Sequence, residues 1–302
     1  MNEMPIIIIG AGAAGLIAAR ELLRQNKKII ILEASERIGG RIHTVPGQST
    51  TLEAGAEFVH GNLPLTIGLL KEYNISYYAT GGEMIQIENG KIKEQHDFIK
   101  GWDILLKEMG RIKTDITFSD FLTAYFNEKK YEALRASARR FAEGFDVANI
   151  DKVSTLALYE EWSGEDEGDQ YRIVGGYQKI VDALYHECLN MGAIIHTNQI
   201  VKEIHWKKDN VKLYTKQRQE FAAEKILITV SLGILQAGPE QAGSISFIPS
   251  IEPQLRAAGQ IGFWSVIKVL FECKSSFWDK KATNMGFLIT NEIIQPGGRS
   301  SQ

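Results

Sequence analysis

The sequence predicts an α/β protein organised around a buried parallel sheet, and three observations carry that expectation. Four isoleucines in a row, Ile6 to Ile9, form a β-branched apolar run suited to a strand covered on both faces. Gly10-Ala11-Gly12-Ala13-Ala14-Gly15 follows at once and leads into Leu16-Ile17-Ala18-Ala19-Arg20-Glu21-Leu22-Leu23, a strong helix former. A second apolar run, Ile29-Ile30-Ile31-Leu32, ends in Glu33. Strand, glycine turn, helix, strand and acid in that order make the βαβ unit of a Rossmann-like, dinucleotide-binding sheet.

Each part of the unit has a physical job. Gly10 permits the tight turn off the strand. Gly12 has no Cβ, so a pyrophosphate can approach backbone N–H groups at the positive end of the helix, in the turn that also holds Ala14. Gly15 lets helix and strand pack closely. Glu33 can accept hydrogen bonds from the ribose hydroxyls of an adenosine, and its charge disfavours a 2′-phosphate, which argues against NADP.

The whole chain sets outer bounds. Its 302 residues suffice for two domains, and 44% apolar content for a sizeable core. A net charge of −3, with no basic stripe interleaved with aromatics, gives no nucleic-acid signature. No apolar run reaches the length of a membrane span, and the N-terminus enters the first strand without a signal-peptide pattern, so a cytoplasmic location is expected. Cys188 and Cys273 read as buried free thiols, and the six histidines show no metal-ligand spacing.

Taken in order, Leu65 to Tyr73 predicts a helix and Ile75 to Tyr78 a strand. Met84 to Lys93 alternates in polarity about Asn89-Gly90, a hairpin signal. Helices are then expected over Trp102 to Ile112, Ser119 to Phe126 with Ser119 as N-cap, and Lys129 to Glu143. Gly164 to Gln170 is an acidic loop and a boundary. Beyond it come Gly175-Gly176-Tyr177-Gln178, a helix over Lys179 to Met191, and strands at Ala193 to His196, Gln199 to Ile204, Val211 to Tyr214 and Lys225 to Val230. Ile261 to Glu272 alternates like a strand with Lys268 inside it. Periodicity alone favours a lysine pointing out of an antiparallel sheet there, since a buried charge needs a partner. Val201 by itself reads as core, and His60 equally well as a satisfied loop histidine or a functional one.

Past the second strand, Glu33-Ala34-Ser35-Glu36-Arg37-Ile38-Gly39-Gly40-Arg41 and Glu53-Ala54-Gly55-Ala56-Glu57-Phe58-Val59-His60-Gly61 resemble the flavin-containing amine oxidases, the family of monoamine oxidases, polyamine oxidases and related histone demethylases. Glu53 stands where that family has Asp. The resemblance implies FAD as cofactor, with Gly40 and Arg41 near its diphosphate, Gly55 and Ala56 also against the cofactor, and the backbone of Val201 against the adenine. Arg41 offers a planar fork of donors suited to a diphosphate. By the same resemblance Lys268, in a Lys-Val-x-Leu-x-Phe stretch, would be the catalytic residue, bonded through a water to the flavin N5. The His60 run is more similar to polyamine oxidases, so Glu57 and His60 would bind a cationic amine. The implied architecture is an FAD-binding domain over 1–80 and 171–240 with an inserted mixed α+β substrate domain over 81–170 and 241–302.

The reaction this implies is oxidation of an amine C–N bond. Hydride passes to flavin N5, the imine hydrolyses, and molecular oxygen reoxidises the flavin to give hydrogen peroxide. A polyamine or another primary or secondary amine would be the substrate. The resemblance covers about the front two-thirds of the family's usual length. Asn291 to Gln302 has neither strand nor helix period; read two bases later, one permitted codon choice for Ile294 to Gln302 gives Thr-Thr-Trp-Trp-Thr-Gln-Leu-Pro, similar to the family's segment at this place. A frameshift that shortened the reading frame would explain it. Two alternatives stand beside the oxidase: an inactive fragment of one, and another FAD oxidoreductase related to carotenoid desaturases or protoporphyrinogen oxidase.

Overall fold

A run of β-branched residues becomes a central strand only when it finds partners on both edges and cover on both faces. The computed structural model, which describes residues 4–88, 91–94, 99, 101–164, 170–264, 266–276, 278–280 and 284–290, supplies all of these for Ile6–Ile9. The strand order is Ile194–His196, Ile29–Leu32, Ile6–Ile9, Lys225–Ile228, with every pair parallel. Ile6 lies opposite Ile29 on one side and Lys225 on the other.

The period of two sends alternate isoleucines into different cores. Ile8, Ile29 and Ile31 pack against Leu16, Ala19 and Leu23 of the helix Ala13–Arg24 and Ile180, Val181 and Leu184 of the helix Gln178–Asn190. Ile7, Ile9 and Leu32 meet Val201, Ile204, Val211, Leu213 and Ala223. These last residues belong to the antiparallel strands Val201–Lys207, Asn210–Thr215 and Glu220–Ala223, joined by Ser246–Ile248 parallel to the first of them. Ile7, Ile8 and Ile31 are wholly buried, each worth about 1.5–3 kcal/mol of transfer free energy.

Contacts divide the chain into two units, Met1–Tyr78 with Tyr171–Phe263 and Ile267–Leu270, and Ala79–Gln170 with Trp264–Val266 and Phe271–Gln302. The first contains the parallel sheet and a charge cluster centred on a buried arginine. Arg20, 4% exposed, pairs with Glu187 at 2.9 Å and with Glu72, while Arg24 reaches the same two acids at 3.1 and 3.0 Å. Tyr73 donates to Glu187, and the Arg20 guanidinium lies 5.6 Å from the Tyr73 ring centre. Burial works against the charge of Glu187, but the Tyr73 hydroxyl and Arg20 outweigh it and hold the carboxyl below its ordinary range. Three helices are thereby tied at one point.

The second unit contains four α-helices among its described residues: Trp102–Met109, Phe118–Tyr125, Glu132–Gly144 and Thr155–Trp162. Phe118, Phe121, Phe126, Leu105 and Leu158 form its core. The second helix begins one residue before the expected start, and its cap is Thr117, not Ser119. The Thr117 hydroxyl accepts from Asp120 N–H at 3.1 Å, whereas Ser119 donates its own N–H to Ile150 O at 2.9 Å. Strands Glu83–Glu88 and Lys91–Glu94 pair antiparallel as expected, and Met285–Thr290 adds in parallel to the first. The turn residues Asn89-Gly90, the acidic residues 165–169 and the tail from Asn291 lie outside the described residues.

Two expectations fail in one stretch. Gly262–Trp264 and Val266–Cys273 form no strand. Alternation supplies a strand with a face but not with main-chain partners, and none of the described strands pairs here; Ile267 and Phe271 are 88% and 84% exposed. Cys273 shares that setting and is exposed, while Cys188 is buried and its thiol is pushed up to about 11 by burial. No helix among the described residues is long and apolar enough to cross a membrane.

Arg20→Ala leaves Glu187 without its buried partner and is expected to cost about 3 kcal/mol, read as a lower urea midpoint at unchanged slope. In the helical unit, burial, and then the charge of Glu161, push the Asp146 carboxyl up to about 6, against the hydrogen bond it accepts from Trp162 Nε1 at 3.0 Å. The folded state therefore holds this proton more tightly than the unfolded chain, whose ordinary value is 3.8. Its contribution to stability is greatest below that value and is lost as pH rises to about 6. Asp146→Asn is expected to remove that slope and to raise the unfolding temperature at pH 7.5 by a few degrees, as seen by calorimetry.

Candidate functional site

The chain's first turn is built so that backbone stands where side chains would otherwise be. Gly10 leaves the strand at φ +109°, and a Cβ there would sit 2.9 Å from Thr229 Oγ1. Thr229 donates from that hydroxyl to Ile9 O at 2.9 Å, fastening the neighbouring strand end to the turn. A Cβ on Gly15 would lie 2.0 Å from Gly10 O, so only glycine lets the helix start this close to the strand. Gly12 differs from both. It caps the helix without a side chain, in an extended conformation open to any residue, and the nearest atom to an added Cβ is Gly39 O at 4.0 Å. What glycine preserves at position 12 is open space over the first N–H groups of the helix, which have no intrahelical partners.

That space belongs to a cleft of about 590 Å³ in the first unit. Gly10, Gly12, Ala14, Glu33, Gly40, Arg41 and Val201 all line it. Gly39 and Gly40, at φ +100° and +58°, turn the chain back beside the helix start, and Gly39 N–H donates to Ala11 O at 2.9 Å. Arg37 holds this loop by donating to three carbonyls, those of Ile38 at 3.2 Å, Ile42 at 3.1 Å and Gly40 at 2.7 Å. Arg41 stays exposed at the rim. The Glu33 carboxylate accepts from Ala11 N–H at 2.7 Å and from Ser35 N–H and Oγ at 2.9 and 2.8 Å. A carboxylate has about four acceptor positions, so these three bonds leave room for one more donor. A positive helix end and an exposed guanidinium suit a diphosphate, and an acid with spare acceptor capacity suits a hydroxyl donor.

Gly15, Gly55 and Ala56 do not line the cleft. Gly55 packs on the Arg41–His43 backbone, with an added Cβ 2.0 Å from Arg41 O, and Ala56 donates to that same oxygen at 3.0 Å. Glu53, the acid longer than the family's Asp, accepts from Tyr177 N–H at 2.6 Å and from the Thr44 hydroxyl at 2.8 Å, bracing the start of the helix Gln178–Asn190.

A second cluster gathers Glu57, Lys268 and Arg172. Lys268 Nζ lies 2.6 Å from Glu57 Oε2 and donates to Gly55 O at 3.1 Å, which leaves one of the ammonium's three donors. Arg172 pairs with the other Glu57 oxygen, and its guanidinium lies 4.8 Å from the Phe58 ring centre. His60 is exposed, its ring 5.9 Å edge-on from Phe58. The charge of Lys268 is thus met by a specific acid, although no strand holds it.

Sequence reasoning assigned no role to Arg37, Thr229, Gln199 or Arg172. Arg37 stood inside a recognisable motif. Thr229 followed an apolar strand run. Gln199 and Arg172 carried no local signal, because what distinguishes them is a neighbour far away in sequence.

Comparison with known proteins gives a consistent picture. The family model described as flavin containing amine oxidoreductase matches residues 13–301. Human lysine-specific histone demethylase 2 is 28% identical over 312 residues, covering 95% of this chain and 36% of that protein. Polyamine oxidase 2 of Arabidopsis thaliana is 25% identical over 310 residues, covering 91% and 60%. Among solved structures, cyclohexylamine oxidase from Brevibacterium oxydans IH-35A superposes at TM-score 0.68 and 19% identity, over 85% of this chain and 63% of that one. Putrescine oxidase bound to putrescine gives 0.66 and 19%, over 84% and 62%. The chain therefore spans between about a third and three-fifths of the length of these proteins.

The two glycines should separate fold from binding. Gly12→Ala is expected to keep the wild-type unfolding midpoint while weakening FAD at least about tenfold, or about 1.4 kcal/mol, by fluorescence titration. Gly15→Ala should lower the stability itself by several kcal/mol, read as a shifted midpoint, because backbone must move.

Proposed function

The chain belongs to the family of flavin containing amine oxidoreductases, and from that premise we propose that it serves the FAD-dependent oxidation of an amine C–N bond, with a polyamine or another primary or secondary amine as substrate. The observation that carries this reading is the cleft. Its helix end, Arg41 and Glu33 fit the cofactor's adenosine diphosphate half within a chain that the family model matches almost throughout. When bound, the flavin supplies a hydride acceptor for the carbon next to nitrogen and a route for those electrons to oxygen.

The chain's own residues bind, orient and balance charge. The N–H groups after Gly12 and the Arg41 guanidinium would meet the diphosphate's negative charge, and the open acceptor position of Glu33 would take a ribose hydroxyl. Lys268 is our candidate catalytic residue. Glu57 and Gly55 O occupy two of its donors, so the third has a defined direction and can hold a water or pass a proton. Glu57 already serves two cations, so an incoming ammonium must share or displace Arg172; His60, exposed beside Phe58, is the other candidate for that end.

The test is direct. Residues 1–302 purified with FAD should show a flavin band that bleaches on anaerobic addition of spermine or benzylamine. A protein that stays colourless at saturating FAD would overturn the proposal. If the band bleaches, Lys268→Met is expected to slow its return on admitting oxygen about a hundredfold, with the reductive step little changed.

A further inference from the structure

We propose that Glu57 and the ring of Phe58 form a subsite for an alkylguanidinium, the far end of the amine substrate, and that Arg172 is the chain's own occupant of it. The inference rests on the reading that Glu57 meets the substrate's charge, and concerns which cation it takes.

Arg172 reaches the subsite through strand pairing. Its strand, Gln170–Ile173, lies beside Val59–His60, which brings its guanidinium to an acid 115 positions earlier in the chain. There it makes two contacts. One N–H donates to Glu57 Oε1, and the guanidinium carbon lies 4.8 Å from the Phe58 ring centre. Among the described residues nothing else holds it, so four of its five donors have no protein acceptor. Arg37, by contrast, donates to three carbonyls, and Arg20 is almost wholly buried between two acids.

The Arg172 side chain is 44% exposed. An ion pair this open and a cation over an aromatic face are each worth about a factor of two to five in an equilibrium. A ligand that reproduces both contacts can therefore replace it. The other Glu57 oxygen pairs with Lys268 at 2.6 Å, so the carboxylate keeps its orientation when Arg172 leaves.

The two contacts also specify the ligand. An oxygen at the edge and a ring at the face suit a planar cation that donates in its own plane, which describes a guanidinium. An ammonium is a compact, strongly hydrated charge that can pair with the oxygen but has no face to lay on the ring. Arg172 lowers the affinity of every cation by the same factor, and Phe58 chooses among them.

The probes are butylguanidinium and butylammonium, titrated by calorimetry into the full chain without FAD and then with it. Wild type is expected to bind butylguanidinium at least about threefold more tightly, the effect of the ring contact. Arg172→Ala should tighten both about tenfold at an unchanged ratio, since both of its contacts are vacated. In that background Phe58→Leu should bring the ratio near one, and Glu57→Gln should abolish the gain for both probes. Unfolding midpoints check that each variant is folded. Equal affinity for the two probes in Arg172→Ala, no tightening in that variant, or a gain that survives Glu57→Gln each overturns the proposal. With FAD bound, butylguanidinium should also slow the bleaching of the flavin by spermine. Binding without that competition would overturn the placing of substrate charge at Glu57, the reading beneath. Bleaching by spermine in a chain whose Arg172→Ala variant binds neither probe overturns this proposal alone and leaves the oxidase reading standing.

Discussion

The approach of Gly15 to the carbonyl of Gly10 is the constraint on which the rest of the first unit depends. With 2.0 Å between that oxygen and where a Cβ would be, the helix can start directly against the end of the strand. Only this approach lets Leu16, Ala19 and Leu23 meet Ile8 and Ile31, and only it aims the helix's positive end across Gly12 into the cleft. Thr229 closes the same junction from the end of the strand Lys225–Ile228 by bonding to Ile9 O and Gly10 O. Packing and the opening of the cleft thus come from a single backbone contact.

Two charge clusters in the first unit show how similar chemistry serves different ends. Around Arg20, two acids and two arginines join three helices, and the arginine is almost wholly buried. None of its residues lines the cleft at Gly12, and the cluster reads as a clamp. Around Glu57, the acid and Lys268 are about a quarter exposed and Arg172 44%, Lys268 keeps a donor in reserve, and Arg172 rests on an aromatic face. What separates the two clusters is one arginine that is almost wholly buried, since the other charges of both are about a quarter to a half exposed.

What local pattern carries was legible in the chain. The isoleucine runs, the glycine turn and the acid at the strand end announced a parallel sheet, and the antiparallel pair Glu83–Glu88 and Lys91–Glu94 followed from alternation about Asn-Gly. Errors arose where two readings shared one pattern. Ser119 and Thr117 are both good caps, and the burial of Phe118 chose between them by placing the helix start. The alternation around Lys268 gave a face without a partner strand, so the lysine is held by a carboxylate 211 positions earlier in the chain (268 − 57) and not by a sheet.

The sequence by itself determined what short range can settle: strand and helix periods, the glycines a tight strand-to-helix turn requires, and membership of a family whose motifs are contiguous. The tertiary structure alone decided which long-range neighbours share a hydrogen bond. It put Glu53 at the start of a helix over a hundred residues away, Glu57 between Lys268 and Arg172, and an unpaired amide oxygen on Gln199 beside Glu33. The physical reason is that a side chain's partners depend on how strands and helices pack, and packing brings together residues whose separation along the chain carries no pattern.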